Sequence, residues 1–106
     1  MRIELTRSGG VAALELKTAV DSDELPDPDA RQLATLAGEI DLVDLAARSP
    51  LRGRGADRFQ YDLVVSDEGA RHEITVSEDA APPEVRALTN WLMDRAKHPR
   101  PTSEQP

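Results

Sequence analysis

The side chains of this chain that could do chemistry are two histidines, six serines and twenty carboxylates, with no cysteine among them. Each class fails on spacing. His72 shares the phase of Ile74 and Val76 along an alternating stretch, which is where a structural histidine sits near a sheet end. His72-Glu73 has no second histidine four residues on, so it is not a helix-borne zinc motif. None of Ser8, Ser22, Ser49, Ser66, Ser77 and Ser103 stands in a G-x-S-x-G elbow. The acidic run Asp21, Asp23, Glu24, Asp27, Asp29 is a solvated segment rather than a carboxylate pair held in contrasting environments. It lacks the central glycine and terminal glutamate of a calcium loop. Ser8-Gly9-Gly10 and Arg52-Gly53-Arg54-Gly55 are too short and isolated to cradle phosphate, and three aromatic residues offer no stacking platform for bases. The expectation is a binding or regulatory protein with no catalytic residues, no metal and no cofactor.

Composition narrows the partner. A length of 106 residues suits one domain. Hydrophobic content of 39% with 31% charge is that of a folded chain, not a disordered one. A formal net charge of -7 opposes a phosphate-backbone binder, which needs a basic field. It suits a basic partner surface. No apolar run has the length of a membrane span, so neither nucleic acid nor membrane is expected as partner. The start MRIELTRSGG lacks the apolar core of a signal peptide, which predicts a cytoplasmic location unless export leaves no signal here.

The elements that must position any contact residue read as follows. Residues 58–77, RFQYDLVVSDEGARHEITVS, alternate with strict period two on either side of a turn at Asp67–Ala70 and predict a β-hairpin. Residues 2–7 alternate as well. Ser8-Gly9-Gly10 then predicts a tight turn, and residues 11–20 a second strand. The acidic segment 21–29 leads to a helix with Asp27 as N-cap and Pro28 at the first position, running to about Gly38. Its stripe is Leu33, Leu36, Ala37 and Ile40, and Leu42, Val43 and Leu45 extend it in a short irregular or helical turn. Residues 48–57 form a loop with three arginines. A last helix carries Val85, Leu88 and Leu92, with Trp91 beside the stripe, and stops before Pro99. The fold class is therefore α+β: ββαββα, a four-stranded antiparallel sheet with two helices on one face. Residues 1–98 form the domain and 99–106 a disordered tail, with a monomer expected.

Three stretches carry a resemblance. RSGGVAALELKTAVDSDELP, DRFQYDLVV and HEITVSEDAAPPEVRALTNWL resemble, in order and spacing, the emfourin family. These are small bacterial inhibitors of protealysin-like metallopeptidases of the thermolysin (M4) class. The similarity covers roughly residues 2–96. It implies a non-enzymatic protein inhibitor that occludes a zinc-bearing cleft without a covalent step, either by inserting a loop that resists cleavage or by capping the cleft with a rigid surface. Its partner would be an M4-type metallopeptidase. Two segments are candidates for the contact. Ser8, Gly9 and Gly10 read either as an ordinary turn or as a narrow tip able to approach another backbone. Asp21, Ser22, Asp23, Glu24 and Leu25 read either as a helix-preceding linker or as oxygen ligands and an apolar side chain offered to the cleft. Arg52 and Arg54 are second-rank candidates. The rival reading is a regulatory interaction module that uses its exposed sheet face or an edge strand.

Overall fold

The computed structural model describes residues 1–9, 15–51 and 59–97. Its strands are β1 (Arg2–Gly9), β2 (Leu16–Asp21), β3 (Phe59–Asp67) and β4 (Ala70–Ser77). Its helices are α1 (Asp27–Gly38), α2 (Leu42–Arg48) and α3 (Pro83–Lys97). Single 3-10 turns follow β2 (Ser22–Glu24) and β4 (Glu78–Ala80). The strands form one antiparallel sheet in the order β2-β1-β3-β4. The two hairpins thus meet through β1 and β3.

Period-two patterning decides the faces. The register aligns Val20, Ile3, Val65 and His72 across the sheet, and next to them Thr18, Leu5, Leu63 and Ile74. This side carries the core. Ile3, Leu5, Leu63, Val65, Ile74 and Val76 are buried there against Leu33 of α1, Leu45 of α2 and Val85, Leu88 and Leu92 of α3. Removing such a side chain loses its transfer free energy and leaves a cavity, at a cost of about 2–5 kcal/mol for leucine to alanine. The opposite face is polar. It presents Arg2, Glu4, Thr6 and Ser8 on β1 and Gln60, Asp62 and Ser66 on β3, with Val64 the one large apolar residue there among the described residues. Thr75 donates to Asp62 across it at 2.7 Å.

The expected architecture is present, with three local differences. Ser8 and Gly9 are strand residues rather than a turn: they pair with Gln60 and Phe59 of β3. The last pair between β1 and β2 is Arg7 with Leu16, so Ser8 and Gly9 extend β1 beyond its pairing with β2. Gly9 keeps φ at +94°, a conformation open to glycine and strained for other residues. The helix α1 begins one residue early, with Pro26 at the N-cap and no side-chain cap. Asp27 and Asp29 then lie in its first turn, where negative charge meets the positive helix end. Finally, residues 42–48 form a complete helix, because Asp41 caps it by accepting from the Asp44 N–H at 3.0 Å. The tail 99–106 lies outside the described residues.

Asp29 is also buried, and its carboxylate meets the Arg95 guanidinium of α3 at 3.0 Å. Arg95 lies 5.0 Å from the centroid of the Trp91 ring. This cluster fastens the first turn of α1 to the last turns of α3. Breaking it leaves one charge largely desolvated. Arg95→Met is expected to lower unfolding stability by about 2 kcal/mol in urea denaturation; an unchanged midpoint would show that the pair is energetically idle. The β3–β4 turn offers a gain instead. Glu68 (φ +48°) and Gly69 (φ +85°) both have positive φ, the geometry of a type I′ hairpin turn. Glu68→Asn is expected to raise stability by about 0.5–1 kcal/mol, read as a higher denaturation midpoint, since asparagine tolerates that conformation better than glutamate.

Candidate functional site

β1 separates the two candidate segments. Asp21 pairs with Arg2 at one end of the strand, while Gly9 pairs with Phe59 at the other. Seven residue steps of extended chain span roughly 23 Å.

At the first end, the acidic segment is a built turn rather than a loose linker. The Asp21 carboxylate accepts from the Asp23 N–H at 3.0 Å and caps the 3-10 turn Ser22–Glu24. The Ser22 N–H donates to the Met1 carbonyl at 2.8 Å, which ties the turn to the start of β1. Leu25 is half-buried and packs on the core. Of the five expected contact residues here, Asp23 and Glu24 are the ones that project into solvent. Behind them the β2 edge, Arg2, Glu24, Leu25 and Arg95 line a shallow cleft of about 440 Å³.

At the other end, Ser8 is half-buried and Gly9 exposed at the close of β1. Arg7 stacks on the Phe59 ring at 4.3 Å. Gly10, Arg52 and Arg54 lie outside the described residues. The segment that leads toward those arginines is anchored, however. Ser49 accepts from the Thr75 N–H at 2.8 Å, the Leu51 N–H donates to the Thr75 carbonyl at 2.8 Å, and the Ser77 N–H donates to the Leu51 carbonyl at 2.8 Å. This covers the last part of the β4 edge. Toward its start, that edge carries the charged pair Arg71–Glu73 at 3.1 Å. Charge on an edge discourages strand addition.

The same end holds a cleft that sequence reading does not single out. Tyr61, Glu78, Asp79, Arg86, Thr89 and Asn90 line a space of about 440 Å³ between β3, the second 3-10 turn and α3. Tyr61 appears in the sequence only as a core-face aromatic, and its ring is indeed buried, at 8% exposure. Burial pushes its phenol pKa above the ordinary 10.0, and the Glu78 carboxylate raises it further, while Arg7 and Arg86 oppose both. His72 is half-buried on the inner phase of β4, as its alternation predicts. Among the described residues, no three histidine, aspartate or glutamate side chains are grouped to hold a metal ion. No described helix is long and apolar enough to cross a membrane.

The fold is a two-layer α+β sandwich with a polar outer sheet face and shallow clefts at both ends of β1. A family model places it: residues 5–93 match Emfourin, and the chain belongs to the emfourin family. That membership is consistent with a protease-inhibitor role and with a non-enzymatic protein. No curated relative and no solved structure matches the chain.

Tyr61 is the chain's single tyrosine, so its ionisation can be followed alone by tyrosinate absorbance. Its pKa is raised in the folded state, so the folded protein holds the phenol proton longer than the unfolded chain. The associated stability is fully present below pH 10.0, the unfolded value, and is lost as pH rises through the folded pKa. Titration should therefore give a midpoint above 10.0 in folded protein. Tyr61→Phe should lose stability less steeply over the same alkaline range. An ordinary midpoint would show that the phenol is not shielded.

Proposed function

We propose that this protein inhibits a thermolysin-like (M4, protealysin-type) zinc metallopeptidase by covering its active-site cleft without a covalent step. The observation that carries the reading is the family match across residues 5–93, which takes in every strand and helix in whole or in part. The candidate contact set is Ser8, Gly9 and Gly10 at one end of β1, and Asp21 to Leu25 at the other, with Arg52 and Arg54 as second-rank candidates. Because roughly 23 Å separates the two ends, the cleft is entered by one of them and not both. Preorganisation supports the reading. The acidic turn is already capped and tied to β1, so little chain entropy remains to be lost on binding.

An interaction module that uses the sheet face or an edge is the rival. Among the described residues the outer face has one large apolar residue, Val64, and the β4 edge is covered by Ser49–Leu51 at one part and charged at another. Both features disfavour use of that face or of the β4 edge, which leaves the β2 edge to this reading.

Titration into a purified protealysin-like peptidase from the same genome, followed with a short peptide substrate, tests the proposal. The expected result is loss of activity at one-to-one stoichiometry with the inhibitor recovered uncut. Gly10→Trp and Asp23→Lys then separate the two ends: one of them is expected to weaken inhibition more than about tenfold, or 1.4 kcal/mol, at unchanged thermal stability. No inhibition at micromolar excess would overturn the inhibitor reading and leave the interaction module.

A further inference from the structure

Tyr61 is more than nine-tenths buried, yet its hydroxyl makes no hydrogen bond within the described protein. No buried side-chain nitrogen or oxygen among the described residues lacks a partner. The phenol oxygen therefore sits where solvent or a ligand reaches it, and the opening available is the cleft of about 440 Å³ that Tyr61 lines. A packed core position does not call for a tyrosine, because phenylalanine fills the same space without a hydroxyl to satisfy. Glu78 stands beside this oxygen, half-buried, with no ion pair to any described residue, and it is the charge that acts most strongly on the phenol. Asp79 adds a second carboxylate to the lining and Asn90 an amide. Among the described residues one guanidinium, Arg86, lines the cleft, while Arg7 is stacked on Phe59.

Resting on the inhibitor reading, we propose that this cleft receives a basic side chain, a lysine ammonium or arginine guanidinium, from the surface of the target peptidase. The bound cation donates to the Glu78 carboxylate and to the Tyr61 hydroxyl. Cleft geometry selects such a group. Among the described lining residues the Glu78 carboxylate is half-buried and acts on the Tyr61 phenol, whereas Arg86 is exposed, and in a partly desolvated spot a hydrogen bond to a charged group is stronger than a neutral one. The whole-chain charge of -7 favours approach of a basic surface. Location fits as well. Gln60, next to Tyr61, pairs with both Ser8 and Ser77, and Ser77 leads directly into Glu78. A target that grips the Ser8–Gly9 end of the sheet thus meets the cleft in the same encounter.

The test is the inhibition constant against the purified peptidase, with thermal stability measured in parallel. Tyr61→Phe and Glu78→Gln are each expected to weaken inhibition about tenfold, with the domain still folded. Arg86→Gln is expected to leave inhibition unchanged or to strengthen it, because it removes like charge. Equal inhibition by Tyr61→Phe, Glu78→Gln and the unaltered protein would overturn the cleft while leaving the inhibitor reading in place. Weakening by Arg86→Gln alone would mean an acidic partner group, and would also overturn it. No inhibition by the unaltered protein would remove the inhibitor reading and this proposal together.

Discussion

The pairing of β1 with β3 is the interaction on which the rest of the structure depends. β1 is hydrogen-bonded on both sides, to β2 and to β3, and it alone joins the two hairpins. Its register sets Ile3 between Val20 and Val65, and Leu5 between Thr18 and Leu63. Both are almost wholly buried. A slip of one residue would drive Glu4 and Thr6 into the core and turn Ile3 and Leu5 out, so the register is specified strongly. The pairing is also non-local, with about sixty residues separating Ile3 from Val65. Its closure must be offset by burial that appears only when both hairpins and the helices are in place.

Once the sheet is fixed, α3 relates its two ends. A helix of fifteen residues is roughly 22 Å long, close to the length of β1. Arg86, Thr89 and Asn90, in its first half, line the cleft with Tyr61. Arg95, near its end, binds Asp29 and lines the cleft beside β2 and Glu24. The inner face of α3 supplies core through Val85, Leu88 and Leu92, while its flanks address both candidate regions. A change at either flank can therefore alter one region without touching the apolar stripe between them.

Local pattern made much of this legible. The β3–β4 hairpin reads directly from the alternation of Phe59, Tyr61, Leu63 and Val65 against Ile74 and Val76, and the helices from their apolar stripes. Long-range partners did not read in the same way. Ser8-Gly9 has turn chemistry, but it pairs with a strand about fifty residues away, and nothing nearby in sequence announces that partner. Asp29 reads as a carboxylate at a helix start. That it meets Arg95, 66 residues on, depends on how two helices are laid on the sheet. Tyr61 follows the same logic. Its phase marks it as core, and only the packed structure shows that the hydroxyl end of a buried ring reaches an opening. Asp41 was the readable signal for α2, a capping residue just before an apolar run.

The polar groups of this protein fall into two kinds, and the difference bears on recognition. Asp21, Ser22, Asp29, Asp41 and Ser49 spend their hydrogen-bonding capacity within the chain, each fixing the entry or exit of an element. Asp23 and Glu24 project into solvent, and Glu78 has no ion-pair partner among the described residues. Asp23 and Glu24 are held by the turn that Asp21 and Ser22 fix, and Glu78 follows Ser77, whose N–H is bonded to the Leu51 carbonyl. A charge on an ordered turn loses little additional entropy when a partner arrives, whereas the same charge on a loose segment would first have to be ordered. A carboxylate beside a buried ring is also less screened by water and salt than one on an open surface. On that ground Glu78, half-buried beside Tyr61, is the better placed of the three to discriminate among partners, while the exposed Asp23 and Glu24 act more on the rate of encounter.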